Sequence, residues 1–139
     1  MEIGVKRGGS LDLWSKYFGD EAAIYGIDLS NDSLIVQNLI KNVKVFQGSQ
    51  DDITFLHQVI KEIGFPNIVI DDGSHLAAHQ KISFNTLFPF ITDGGLYVCE
   101  DLHTSFFPSH GGNCEAKNTF ISEIQEMILD IHGFWRSFP

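Results

Sequence analysis

Short runs of β-branched and aromatic residues recur along this chain, and segments of helical period separate them. Glu2-Ile3-Gly4-Val5, Ala23-Ile24-Tyr25-Gly26-Ile27, Val43-Lys44-Val45-Phe46, Ile68-Val69-Ile70 and Leu96-Tyr97-Val98-Cys99 read as strands, most of them bounded by Gly, Asp or Asn. In 52–63, Ile53, Phe55, Leu56, Val59, Ile60 and Ile63 fall on one helical face. Asp51 or Asp52 is placed to cap that helix, and Gly64 with Pro66 ends it. Segments 10–18, 31–40 and 76–88 read as further helices, and Phe120, Ile121, Ile124, Met127, Ile128 and Ile131 mark a last one. Strand–helix alternation of this kind predicts an α/β domain, a parallel sheet with helices on both faces. A length of 139 residues fits a single domain, 1–139, and 43% hydrophobic residues supply its core. The chain shows no internal repeat, low-complexity stretch or linker.

Charge narrows the partners. Nine Lys+Arg against 18 Asp+Glu give a net charge of −9, too few cations to replace the counterions of a nucleic acid or to dock on anionic lipid. No apolar run reaches the roughly 18–20 residues that span a bilayer, and the first ten residues lack the apolar core of a signal peptide. Cys99 and Cys114 are the only cysteines, and Cys99 lies in a run that reads as a buried strand. Both read as free thiols in a reducing, cytoplasmic setting.

In such a sheet, ligands sit beyond the carboxyl ends of the strands, near the reversal of strand order. After the first strand, Gly4, Gly8, Gly9 and Ser10 form a turn that brings backbone and a helix start close to a ligand. The spacing matches neither G-x-G-x-x-G nor a P-loop, so an ordinary turn is an equal reading. Asp28 follows the second strand at roughly the 20-residue offset of a ribose-binding carboxylate; a helix cap is the alternative. After the third strand, Gly48-Ser49-Gln50-Asp51-Asp52 offers groups for an adenine edge or for a cap.

Asp71-Asp72-Gly73-Ser74-His75 and Glu100-Asp101-Leu102-His103 follow the fourth and fifth strands. Acids gathered there repel one another, and few cations lie nearby apart from Lys81. A hard divalent ion resolves the conflict, and oxygen donors suit Mg²⁺ better than Zn²⁺. His75 is placed to act beside it as a general base. The competing reading is turn chemistry with solvated acids. A receiver domain is discounted, because its acids follow the first and third strands and a lysine follows its fifth. His57 and His132 read as packed or solvent-facing, whereas His79 lies one turn beyond His75 and faces the same cleft. Phe106, Phe107 and Pro108 read as an acceptor wall or as edge packing, and 110–113 as a glycine-rich loop able to form a lid.

The blocks EIGVKRGGSLDLW (2–14), IYGIDLS (24–30), VFQGSQDDITFL (45–56), IVIDDGSHLAAHQKISFNTLFPF (68–90) and GGLYVCEDLHTSFF (94–107) together resemble the class I S-adenosylmethionine-dependent methyltransferases. More narrowly they are similar to the metal-dependent sugar O-methyltransferases of macrolide biosynthesis, the mycinamicin and macrocin type. The resemblance implies a Rossmann-like, doubly wound, mostly parallel sheet of order 3-2-1-4-5. It assigns Gly4, Gly8, Gly9 and Ser10 to the methionine moiety, Asp28 to the ribose, and Ser49, Gln50 and Asp52 to adenine, with Asp71 also in the cofactor set. Asp72, Glu100 and Asp101 become Mg²⁺ ligands and His75 the base. The implied activity is Mg²⁺-assisted O-methylation of a sugar or other vicinal diol, on a small-molecule or glycan acceptor. A cofactor-binding module or inactive truncated remnant is the alternative. Family sheets carry seven strands and a segment before the first, while this chain has room for five. It therefore reads as truncated at both ends, or as a form that covers its open edge by homo-oligomerisation.

Overall fold

The computed structural model describes residues 1–133. Five strands form one sheet: β1 (Glu2–Ile3), β2 (Ile24–Asp28), β3 (Val43–Gln47), β4 (Ile68–Asp71) and β5 (Leu96–Cys99). Their order is β3-β2-β1-β4-β5 and every pairing is parallel, as expected. The helices are α1 (Gly9–Phe18), α2 (Val36–Leu39), α3 (Ile53–Ile63), α4 (Ala77–Leu87) and α5 (Phe120–Ile131). The chain runs outward from β1 to β3 and then returns to lay β4 on the other side of β1. The reversal thus falls between β1 and β4.

Side chains alternate across a strand, so each strand feeds two cores. Ile3, Ile27 and Val69 pack with Leu56, Val59, Ile60 and Leu87 of α3 and α4. Val5, Ile24, Val43 and Val45 pack with Leu11 of α1 and Val36 of α2 on the opposite face. Ile3 and Val5 have the same parity yet enter different cores. Gly4 between them, at φ 94°, turns the chain out of the strand.

Local chemistry sets the helix ends. Asp52 caps α3 by accepting from Phe55 N at 3.0 Å, and Gly64 at φ 78° ends it. The helix expected over 31–40 is instead a 3₁₀ turn, Asn31–Ile35, followed by the single turn of α2. Ser30 caps the backbone at Asp32, and the Ser33 hydroxyl bonds the Ser30 carbonyl, which tightens the first turn. Thr119 and Ser122 cap α5 reciprocally, and Phe120 docks it edge-on against Phe84 of α4, ring centroids 5.0 Å apart.

The buried strand expected at 96–99 is not buried. β5 has one neighbour in the sheet, and Tyr97 packs toward Phe84 and Phe120, while Leu96 and Val98 on the other face are 58% and 42% exposed. Cys99 is partly exposed, and both cysteines are free thiols. Desolvation, reinforced by Asp71 and Glu100, pushes the Cys99 thiol up to about 12. Among the described residues no helix is long and apolar enough to cross a membrane.

Leu56, fully enclosed, touches both the sheet and its neighbours on α3. Leu56→Ala is expected to lower stability by about 2–5 kcal/mol in urea unfolding at equilibrium. A loss within error of zero would show that this core is not what holds α3 to the sheet.

Candidate active site

The loops after β1 and β4 touch at the strand reversal. Asp72 N donates to Ile3 O and Gly4 N to Ile27 O, so the first residues beyond β4 and β1 are pinned to the neighbouring strands β1 and β2. A Cβ on Gly4 would lie 2.1 Å from the Asp72 carbonyl oxygen, and one on Gly73 would lie 2.0 Å from Gln50 Oε1. Backbone therefore forms the floor of a cleft. Asp28 braces its rim: Oδ2 accepts from Val5 N and Lys6 N at 2.9 and 2.7 Å, and Oδ1 accepts from Ser30 N at 2.7 Å.

The cleft has two compartments. An inner slot of about 270 Å³ is lined by Asp28, Leu29, Ser49, Gln50, Ser74 and His79. An outer, wider hollow of about 860 Å³ is lined by Arg7, Gly9, Ser10, Asp72, His75 and Asp101. Gly4, Asp28 and Gly73 border both, so the compartments are continuous. Gly9 has nothing within 4 Å of where a Cβ would sit, which leaves the start of α1 open to a ligand.

At the outer end, Asp72, His75 and Asp101 offer ligand atoms that all lie within 4.8 Å of one another. His75 Nε2 stands 3.8 Å from Asp72 Oδ1 and 3.6 Å from Asp101 Oδ2, too far for hydrogen bonds, so the imidazole stands beside the two carboxylates. His75 and Asp101 sit at φ 57° and 53°, a left-handed conformation unusual for such residues. Buried contacts hold them there. The Thr104 hydroxyl lies 3.0 Å from the His75 carbonyl and 2.8 Å from the Asp101 carbonyl, bridging the two loops. Gln80 Nε2 donates to Glu100 O at 3.2 Å. His75 Nδ1 is buried with no hydrogen-bond partner among the described residues. Asp72 and Asp101 pair with no Lys or Arg among the described residues, so two hard oxygen donors beside an imidazole fit a divalent cation such as Mg²⁺.

Four acids do not converge here as expected. Asp72 and Asp101 meet, and Glu100, exposed at the adjoining position, lies outside the cluster. Strand alternation sends Asp71 inward, where it is 1% exposed. It accepts from Gln50 Nε2 and Tyr97 Oη, both at 3.0 Å, from Ser83 Oγ, and from Gly73 N. Desolvation raises its pKa against the pull of those donors. Asp71 therefore positions Gln50 and does not face the cleft, a correction to its place in the cofactor set.

Other expected ligands have other occupations. Gly8, at φ 77°, precedes α1, and a Cβ there would meet Val36 Cγ1 at 2.5 Å, so it serves packing. Asp52 is the cap of α3. Gln50 lines the slot, but its amide is already shared among Asp71, Ser83 and Ser74 N. Ser49 lines the slot and donates its hydroxyl to Asp51.

Three supporting residues were not singled out by sequence: Glu2, Thr104 and Gln80. Glu2, 3% exposed, accepts from Ser10 Oγ and, at 2.6 Å, from Trp14 Nε1, which fastens α1 to β1 behind the glycine turn. An acid inside an apolar strand was its available signal. Burial raises its pKa, partly offset by those two donors.

Two expectations follow. Thr104→Val is expected to weaken Mn²⁺ or Mg²⁺ binding about 10- to 100-fold in calorimetry with the fold intact; unchanged affinity would remove Thr104 from the site's support. Glu2 and Asp71 both have raised pKa values. Their contribution to stability is present below the ordinary carboxylate range and is lost as pH rises through the raised values. Thermal midpoints of the wild type should fall as pH rises above the ordinary carboxylate range, and Glu2→Gln should flatten that fall. A steeper fall in the variant would contradict the assignment.

No family model matches the chain. It is 42% identical over 142 residues to the 8-demethyl-8-(2-methoxy-alpha-L-rhamnosyl)-tetracenomycin-C 3'-O-methyltransferase of Streptomyces olivaceus, covering 95% of this chain and 35% of that protein. It is 42% identical over 138 residues to the mycinamicin VI 2''-O-methyltransferase of Micromonospora griseorubida, covering 92% of this chain and 34% of that one. The MycE methyltransferase of the mycinamycin biosynthetic pathway, solved in complex with Mg, SAH and mycinamycin VI, superposes with a TM-score of 0.86 at 39% identity. That match covers 94% of this chain and 37% of the solved one. The chain thus spans about a third of the length of the relatives it matches. Its sheet is the Rossmann-like sheet of these methyltransferases.

Proposed function

We propose that this chain, similar along nearly its whole length to one segment of the sugar O-methyltransferases, is the donor- and metal-binding core of a Mg²⁺-assisted, S-adenosylmethionine-dependent O-methyltransferase. One observation carries the reading. Two hard donors, Asp72 and Asp101, stand with the His75 imidazole at the outer end of a cleft whose inner end is a slot bordered by Asp28. A donor laid along that cleft would have its nucleoside in the slot and its sulfonium beside the cluster.

When bound, Mg²⁺ supplies positive charge that lowers the pKa of a neighbouring hydroxyl, and the donor supplies a methyl already activated on sulfur. Each residue then has a task. Asp28 keeps acceptor capacity beyond its three backbone bonds for the ribose hydroxyls. Gly4 and Gly9 admit the methionine moiety between the first loop and α1, and Ser10 is held by Glu2 at the same turn. Ser49 and Gln50 border the base. Asp72 and Asp101 hold the ion, and Glu100, exposed at the adjoining position, is the expected third carboxylate. His75 Nε2 takes the proton from the acceptor hydroxyl, which then attacks the methyl carbon in line while the sulfur leaves.

A vicinal diol of a glycoside, able to chelate the ion, is the acceptor class. Free Cys99 and Cys114 support a reducing, cytoplasmic setting, and the open face at Leu96 and Val98 supports association between copies.

The test is release of S-adenosylhomocysteine from donor, Mg²⁺ and a rhamnoside acceptor. Turnover should vanish with EDTA, and Asp101→Asn should lose metal affinity while keeping donor affinity. His75→Ala should turn over about 10²- to 10⁴-fold more slowly with donor binding intact. Turnover insensitive to EDTA would sink the metal's role. The second reading, a binding module that needs the rest of its relatives' length, rests on that one-third coverage. It predicts donor binding without product.

A further inference from the structure

We infer that His79 is a positioning residue that locks the inner end of the donor cleft, joining the loops after β3 and β4 into one ring around the slot. The inference rests on the donor assignment above. The Ser74 Oγ stands 3.0 Å from His79 Nδ1, and His79 Nε2 stands 3.3 Å from Asp51 Oδ2. Ser74 N donates to Gln50 Oε1 at 2.7 Å. Gln50 and Asp51 are consecutive, so the path Gln50–Ser74–His79–Asp51 closes on itself. Gln50, Ser74 and His79 all line the slot.

Ser74 Oγ also accepts from Leu76 N at 3.3 Å, and the two ring nitrogens of His79 face Ser74 Oγ on one side and the Asp51 carboxylate on the other, so the imidazole bridges the two loops. Asp51 also accepts the Ser49 hydroxyl, which extends the ring to a fourth slot residue. His79 is not one of the residues that bind α4 to the core. The buried positions of that helix are Ala77, Gln80, Ser83, Phe84, Thr86 and Leu87, whereas the His79 side chain is 25% exposed. The contacts run Asp51–His79–Ser74, and Ser74 is a turn residue whose hydroxyl serves the start of α4, so the ring is assigned a holding role.

The experiment measures donor binding by calorimetry with two probes, S-adenosylmethionine and 5'-methylthioadenosine, which lacks the amino-acid portion. His79→Ala is expected to raise the Kd of both by the same factor, about tenfold or more, while leaving Mg²⁺ affinity unchanged. His79→Gln, whose amide can accept from Ser74 and donate to Asp51, is expected to stay within about threefold of the wild type. Asp51→Ala, at an exposed residue that does not threaten folding, should reproduce the His79→Ala shift, and the double variant should be no worse than either single. Wild-type affinity in His79→Ala, loss confined to S-adenosylmethionine, or additive losses in the double variant would each overturn the inference while leaving the donor site standing. A wild-type chain that binds neither probe would sink the donor site itself, and the ring with it.

Discussion

Position 4 has no side chain, and the cleft exists because of it. The loops after β1 and β4 lie so close that any Cβ there would enter the Asp72 carbonyl. The same residue turns the chain at φ 94°, which sends Val5 to the second core and starts the approach to α1. With Gly73 admitting the Gln50 amide on the other side, backbone from three strands meets at one floor. Side chains that would have filled the reversal point are thereby moved to its rim, where Asp28, Asp72 and His79 stand.

The electrostatics follow from strand alternation. Two pairs of consecutive acids end β4 and β5, and within the first pair burial separates the roles. Asp71 is an interior acceptor satisfied by Gln50, Ser83, Tyr97 and Gly73, while Asp72 reaches the open hollow to face Asp101. An interior carboxylate with four donors is a rigid post, and Gln50 is fastened to it. The slot wall and the loop that carries Asp72 are therefore set from adjacent residues of one strand end. Thr104 and Gln80 complete the frame by tying the β5 loop to the β4 loop and to α4.

Much of this is legible in the order of residues. Helical period and β-branched runs give five strands, the helices of both faces and the parallel sheet, because each signal is local and repeated. That Asp28, Asp72, His75 and Asp101 border one cleft is legible because parallel topology places every strand's carboxyl end on one side. Three kinds of error have physical sources. Counting acids without their period of two put Asp71 among the cleft residues. Reading 31–40 by apolar spacing alone ignored the Ser30 and Ser33 hydroxyls, which favour a tighter turn. Calling β5 buried assumed neighbours on both sides, and an edge is a property of the whole sheet. Glu2 depends on a contact 8 residues away, Thr104 on one 29 away, and the His79 ring on one 24 residues apart that joins two loops, beyond any local pattern.

The placement of donor and ion relative to each other is the claim on which all else turns. A crystal structure of the chain grown with S-adenosylhomocysteine and Mn²⁺ measures it directly, since anomalous scattering locates the ion. The expected map has the nucleoside in the slot, the ribose on Asp28, and the ion between Asp72 and Asp101 beside the sulfur. An ion held elsewhere, or a nucleoside lying outside the space bordered by Asp28, Ser49 and Gly73, would contradict it.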